Sequence, residues 1–345
     1  LDHNRKFGKC SSLIEEKRIW AISTPIDSKR ITAFLACLCN AYPFPTLKLM
    51  RILLTGKNGQ VGWELNRSLS TLGTIFALGR DQIDLAKPET LGSVIQEIKP
   101  NIIINAAAYT AVDKAESEPE LAMTVNGIAP GVIAEEAKKI GAGMIHYSTD
   151  YVFDGKATSP YKEEDAPCPL NIYGKSKLAG DQAVMQANIP HIILRTAWVY
   201  SLRGSNFLLT MQKLAQSKNQ IKVVDDQIGS PTWSRAIAEG TARILEHCRS
   251  TGKSKIFSHS GVFNMSCGGE TSWFGFAKKI LELSGENTEL IPIPTIEYPT
   301  PTARPESSLL SNRKLKQVFH HEMPHWQDAL LECLNSDHKA RNALP

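Results

Sequence analysis

Met50-Arg51-Ile52-Leu53-Leu54-Thr55-Gly56-Lys57-Asn58-Gly59-Gln60-Val61-Gly62 is the stretch on which the fold turns. Arg51 to Thr55 is a short apolar run bounded by turn residues, the pattern of a strand buried on both faces of a parallel sheet. Gly56, Gly59 and Gly62 follow at three-residue spacing and open a helical pattern that runs to Leu72. Glycines there permit a tight turn and let the backbone approach a pyrophosphate, whose charge then meets the positive end of the helix. Three glycines alone describe many turns. Set between a first strand and a first helix, they form a dinucleotide fingerprint.

Working outward, the chain alternates. Thr74–Leu78 reads as a second strand, Pro88–Lys99 as a helix and Asn101–Ala106 as a third strand. Pro119–Lys139 is helical, Met144–Ser148 a fourth strand, Tyr173–Asn188 a helix and His191–Arg195 a further strand. Strands and helices in this order predict an α/β fold, a doubly wound parallel sheet (Rossmann) with helices on both faces. Beyond Trp198 the order loosens. Helices fit Asn206–Ser217, Ser234–Cys248, Trp273–Ser284 and His325–Leu334, and short strands fit Ile221–Val224, Val262–Met265 and Leu290–Ile293. The expected division is a dinucleotide-binding domain over residues 50–197, a smaller α/β substrate-binding lobe mainly over 198–335 and intertwined with it, and a tail over 336–345.

The composition is that of a soluble globular chain: 345 residues, 42% hydrophobic and 21% charged. Its formal charge of +4 resides in residues 1–49, where eight Lys/Arg face four acids; the remainder balances at 31 against 31. With no basic stripe, nucleic acid is not an expected partner. The run Ile31–Cys39 is too short to span a bilayer, so no membrane association is expected either. Met50 stands at the start of the regular pattern and is the expected functional start. Residues 1–49 read as a poorly ordered extension or as sequence upstream of the true start, with a targeting peptide as the alternative. Seven scattered cysteines build no zinc or disulfide framework and fit a reducing, cytoplasmic compartment. No ligand cluster for a metal stands out.

Candidate chemistry begins with Tyr173-Gly174-Lys175-Ser176-Lys177. Four-residue spacing on a helix puts the phenol and the ammonium on one face, where the positive charge favours phenolate and is expected to pull the phenol's pKa down. By itself Tyr-x-x-x-Lys equally describes a solvated helix face; Tyr173 is the only tyrosine in the chain with a lysine four residues on. Thr149 and Asp150 close the fourth strand, at the edge where ligands of such sheets bind, and a hydroxyl there suits the substrate oxygen that Tyr173 would protonate. Ala106, Ala107 and Ala108, at the end of the third strand, leave room for a flat cofactor. The second strand ends Leu78-Gly79-Arg80. An NAD site would place an acid on the ribose there; glycine followed by arginine favours a 2′-phosphate, hence NADPH, with NADH left open.

Further runs complete a pattern: Asn105-Ala106-Ala107-Ala108-Tyr109-Thr110-Ala111-Val112-Asp113-Lys114-Ala115-Glu116, Tyr147-Ser148-Thr149-Asp150-Tyr151-Val152-Phe153, Arg195-Thr196-Ala197-Trp198-Val199-Tyr200, Asp226-Gln227-Ile228-Gly229-Ser230-Pro231-Thr232 and Tyr298-Pro299-Thr300-Pro301-Thr302-Ala303-Arg304-Pro305. With the glycine turn and the Tyr173 helix, the region 50–335 resembles the extended short-chain dehydrogenase/reductase family. Its likeness is to the branch that reduces the C4 ketone of dTDP-4-dehydro-L-rhamnose to dTDP-L-rhamnose. The resemblance implies that Tyr173 is the proton donor, that Lys177 orients the nicotinamide ribose, and that Thr149 is the hydroxyl beside them. Asp150 and Trp198 match positions that contact the nucleotide sugar; Gly59, Gln60, Val61, Asp84, Leu85 and Ala106–Ala108 match cofactor contacts. It also raises a magnesium ion and a homodimer, neither of which the residues specify. Gly79 and residues 1–49 depart from the family pattern. Two alternatives share the fold: a non-catalytic regulatory subunit like the beta subunit of methionine adenosyltransferase, and a reductase or epimerase of another nucleotide sugar. The runs Asn105–Glu116 and Tyr298–Pro305 favour the reductase.

Overall fold

The computed structural model describes residues 50–250 and 259–342; the expectation for residues 1–49 lies outside them. Six parallel strands form the central sheet: β1 (Met50–Thr55), β2 (Gly73–Leu78), β3 (Ile102–Asn105), β4 (Gly143–Thr149), β5 (His191–Thr196) and, after the short strands β6 (Val199–Tyr200), β7 (Gln220–Val224), β8 (Ile228–Gly229) and β9 (Thr232–Trp233), β10 (Gly261–Asn264). Their order across the sheet is β10-β5-β4-β3-β1-β2. β11 (Thr271–Ser272) pairs with β8, and β12 (Glu289–Ile293) with β7, outside the main sheet. The Val262 strand, expected in the second half's own lobe, instead becomes the edge of the central sheet against β5.

The apolar strand runs alternate between two cores. Ile52, Leu54, Ile104, Ile145 and Leu194 enter one, with α1 (Gln60–Ser68), α6 (Ser234–Ser250), α7 (Trp273–Ser284), α8 (Arg313–Phe319) and α9 (Trp326–Asn342) supplying residues such as Leu65, Ile237, Phe276, Leu315 and Leu330. Leu53, Ile103, Met144 and Ile193 enter the other, against Leu91 and Ile95 of α2 (Leu91–Ile98), Ile133 of α3 (Ala129–Ile140) and Val184 of α4 (Ile172–Gln186). Side chains at successive strand positions point to opposite faces, so a continuous apolar run is what a doubly covered strand needs. α5 (Phe207–Ala215) packs in the first of these cores. α9 continues through the start of the expected tail at residue 336.

The sheet order reverses between β1 and β3, which opens a crevice beyond their carboxyl ends. The helical stretch expected over Pro119–Lys139 is not uniform: a π turn at Thr124–Ile128 separates Pro119–Met123 from α3. α4 lies on this turn so closely that a Cβ at Gly180 would stand 2.1 Å from the Asn126 carbonyl oxygen. Asn126 in turn brackets Tyr109, its Oδ1 accepting from the Tyr109 N–H at 2.8 Å and its Nδ2 donating to the Tyr109 carbonyl at 3.0 Å. The π turn thereby fixes the loop after β3 to the helix that carries Tyr173.

Candidate active site

At the switch point the glycine turn is forced by its neighbours. Gly56 has φ +74°, and a Cβ on it would lie 2.8 Å from the Ala107 nitrogen; one on Gly62 would lie 2.0 Å from the Gly56 carbonyl oxygen. The first turn of α1 carries no acid, so its exposed N–H groups present unopposed positive character to an anion. Ala106 and Ala107 are half-buried and Ala108 exposed alongside. Such a cradle suits a dinucleotide pyrophosphate. Two of the matched residues have scaffold contacts: the Gln60 amide oxygen accepts from Ser201 Oγ and Asn206 Nδ2, both at 2.9 Å, and Leu85 is buried in the second core. Val61 packs half-buried on the first core.

The end of β2 holds two cations. Arg80 is exposed and reaches Asp84 Oδ1 at 3.3 Å. Lys57, which the sequence reading passed over, donates to Gln82 Oε1 at 2.6 Å, and its Cε would sit 3.3 Å from a Cβ on Gly79. A Cβ at position 79 would stand 2.6 Å from Asp81 Oδ1, so the exposed Asp81 side chain would have to shift to admit one. The Lys57 stem borders the place where a ribose-binding acid would stand, and the two cations suit a phosphate.

Tyr173, Thr149 and Lys177 come together at the carboxyl end of β4. Tyr173 opens α4, whose amino end is capped by Asn171 Oδ1 accepting from the Gly174 N–H at 2.8 Å. Thr149 Oγ1 donates to Asp150 Oδ1 at 3.0 Å and accepts from the Tyr151 N–H at 3.2 Å. The ring of Tyr151 meets that of Tyr173 edge-on, centroids 5.4 Å apart. Lys177 is buried, its Nζ donating to the Tyr147 carbonyl at 2.5 Å. One expectation is corrected. Burial pushes the Tyr173 phenol up rather than down, opposed by its hydrogen bond with Thr149 and reinforced by the Asp150 charge. Lys177 is itself lowered to about 8 by burial, which Asp181 partly offsets. Asp150, buried with Oδ2 unpartnered, is raised to about 6 by burial, with Ser308 and Thr149 pulling it back.

Facing these groups is a surface from the second half of the chain. Trp198, held at φ +47°, stacks on Trp273 with centroids 3.5 Å apart, and the Trp273 indole N–H donates to Gln227 Oε1 at 3.2 Å. A cavity of about 360 Å³ is lined by Asp226, Gln227, Thr295, Arg304 and Glu306. Arg304 pairs with Asp113 at 2.9 Å and bonds Tyr151, tying the loop Tyr298–Pro305 to the stretch Asn105–Glu116. Trp273, Arg304 and Tyr151 were not singled out as site residues; the last two lay inside the quoted motifs, whereas nothing local marks Trp273. Among the described residues no group of three His, Cys, Asp or Glu is placed to hold a metal, so the magnesium ion that the resemblance raised finds no ligand set here. No described helix is long and apolar enough to cross a membrane.

Comparison with known proteins agrees with this arrangement. The family model described as the RmlD substrate binding domain matches residues 50–338. A dTDP-4-dehydrorhamnose reductase of Burkholderia thailandensis is 48% identical over 293 residues, covering 83% of this chain and 98% of that protein. One from Escherichia coli K12 is 40% identical over 296 residues, covering 83% and 97%. Among solved structures, a Bacillus anthracis dTDP-4-dehydrorhamnose reductase in complex with NADP superposes with a TM-score of 0.78 at 35% identity, covering 84% of this chain and 99% of that one. A dinucleotide cradle, a Tyr-Lys-Thr cluster beside it and a family match running from the first strand into the last helix place the chain in the RmlD family, with the dTDP-4-dehydrorhamnose reductases.

Proposed function

We propose that the chain catalyses NADPH-dependent reduction of the C4 ketone of dTDP-4-dehydro-L-rhamnose to dTDP-L-rhamnose. The observation that carries this reading is the convergence of Tyr173, Thr149 and Lys177 at the end of β4, beside the cradle built by Gly56 and Ala107. A bound reduced nicotinamide supplies the hydride. Tyr173 supplies the proton: burial keeps the phenol protonated at neutral pH, so it donates when charge develops on the C4 oxygen, a much stronger base than phenolate. Thr149 shares the hydrogen bond to that oxygen, and the Lys177 ammonium orients the nicotinamide ribose and steadies the phenolate left behind. Gly56, Gly59, Gly62 and the Ala106–Ala108 backbone hold the pyrophosphate and ring. Lys57 and Arg80 take the 2′-phosphate, with Asp84 aligning Arg80. Asp150, Trp198 and the cavity beside Arg304 hold the nucleotide sugar.

The test is NADPH oxidation with a panel of dTDP-, UDP- and GDP-linked 4-keto sugars. Fastest turnover of the dTDP sugar supports the assignment; preference for another nucleotide moves it to a different substrate. No turnover with any of them returns the chain to the non-catalytic alternative.

A further inference from the structure

Beneath Lys177 runs a row of buried polar side chains that the proposed chemistry does not use. Thr55 of β1, Asn105 of β3 and His146 of β4 are register neighbours on adjacent strands, and all three are buried. The row has a direction. The Ala107 N–H, in the loop of the cofactor cradle, donates to Thr55 Oγ1 at 3.3 Å, and Thr55 Oγ1 donates to Asn105 Oδ1 at 2.7 Å. Asn105 Nδ2 then donates to His146 Nδ1 at 3.2 Å. Nε2, on the far side of the ring, stands 3.8 Å from Asp181 Oδ1 and 3.4 Å from Lys177 Nζ. His146 is held neutral by burial and by the Lys177 charge.

Asp181 lies next beyond the row, its Oδ1 3.8 Å from His146 Nε2 and without a hydrogen-bond partner. It lies four residues beyond Lys177 on α4, on the same helix face. It is fully buried, accepts from Ser148 Oγ at 2.7 Å and stands 3.6 Å from Arg195 Nε of β5. A carboxylate taken this far from water is retained only where charges and donors compensate it. Other charges near Lys177 are accounted for. Tyr173 shares its helix, Asp150 stands on the turn after β4, and Glu163 lies beyond Arg195. Asp113, Lys114 and Glu116 belong to the stretch that meets the amino end of α4, with Asp113 on Arg304 and Glu116 on the Ile172 N–H. On the helices packed against α4, Glu120, Glu135 and Lys138 are exposed and Glu136 pairs with Lys139. The π turn, Thr124–Ile128, holds no ionisable group.

We infer that Asp181, held by the Ser148 hydroxyl and set beside His146 and Arg195, is a positioning residue for Lys177. It is the buried counter-charge that keeps the ammonium protonated at its station on the Tyr147 carbonyl, while the Thr55–Asn105–His146 row locks the pair to the backbone of the cofactor loop. This deepens the proposed reductase reading and rests on it. Asp181→Asn removes the counter-charge and keeps the shape. The alkaline limb of NADPH affinity, followed by cofactor fluorescence across pH, then moves down by about one unit, a tenfold weakening on the limb; the alkaline limb of kcat/KM moves with it. Ser148→Ala, which removes one donor and leaves the carboxylate, gives a smaller shift in the same direction, and it serves alone if Asp181→Asn does not fold. A limb unchanged in the folded variants overturns the inference, even if activity falls. Because NADPH binding needs no sugar, wild-type protein that binds NADPH but reduces no keto sugar defeats the substrate reading while the affinity profile still decides this one. Wild-type protein that does not bind NADPH overturns both.

Discussion

At the residue scale, half-buried Tyr173 and buried Asp150 are both acids with raised pKa values and opposite consequences. For Tyr173 a raised pKa keeps the proton that has to be delivered. Tyr173→Phe should leave NADPH affinity near wild type and lower kcat by roughly a hundred- to ten-thousand-fold, the range a positioned general acid supplies; steady-state kinetics with a fluorescence binding titration separates the two effects. For Asp150 the folded-state value of about 6 lies above its ordinary 3.8, so ionisation is disfavoured in the fold. Below about pH 4 the group is protonated folded or unfolded and costs nothing. Above about 6 it is ionised in both, and the fold carries the full cost, on the order of 3 kcal/mol. Asp150→Asn should therefore raise the melting temperature at pH 7, with the gain shrinking as pH falls from 6 towards 4, and should weaken binding of the sugar. Melting curves at the two pH values check the first part; a KM measurement checks the second.

At the element scale, the site depends on how closely α4 lies on the π turn. Gly180→Ala places a methyl group where the Asn126 carbonyl oxygen stands, and backbone on both sides cannot yield cheaply in a close-packed interior. The variant should lose several kcal/mol of stability and, in its folded fraction, show Tyr173 displaced from Thr149; denaturant unfolding and kcat per folded molecule report the two. The end of β2 gives a separate prediction. Lys57→Met should lower kcat/KM for NADPH by about tenfold and leave NADH nearly unchanged, because a lost cation matters only where a phosphate meets it. Equal losses with both cofactors would assign Lys57 to the loop's structure instead.

At the scale of the whole molecule, residues far apart in sequence close the cleft. Arg304 reaches back to Asp113 and Tyr151, and Trp273 stacks on Trp198. Arg304→Gln leaves Asp113 without its cation and releases Tyr151, so KM for the nucleotide sugar should rise about tenfold, a penalty in the range for a lost charged hydrogen bond, with NADPH affinity unchanged. A matching rise in the dissociation constant of NADPH would place Arg304 on the cofactor side.

The sequence by itself determined what short-range pattern can carry. Ile52–Leu54 is apolar because a doubly covered strand has no solvent face, Gly56 is glycine because the turn needs positive φ, and Tyr173 and Lys177 share a face because a helix repeats every 3.6 residues. The same periodicity could have found Asp181, four residues beyond Lys177, and the i, i+2 spacing of His146 and Ser148 could have put both towards α4. Only the tertiary structure decided that Thr55, Asn105 and His146 stand side by side, because strand neighbours are set by sheet order and not by chain order. It also decided that the Val262 strand joins the main sheet and that the Gln60 amide oxygen accepts from Ser201 and Asn206. The direction of the Tyr173 shift belongs with these: a charge four residues away is legible in the chain, but the desolvation that raises the phenol, against its hydrogen bond with Thr149, comes from packing that no local spacing records.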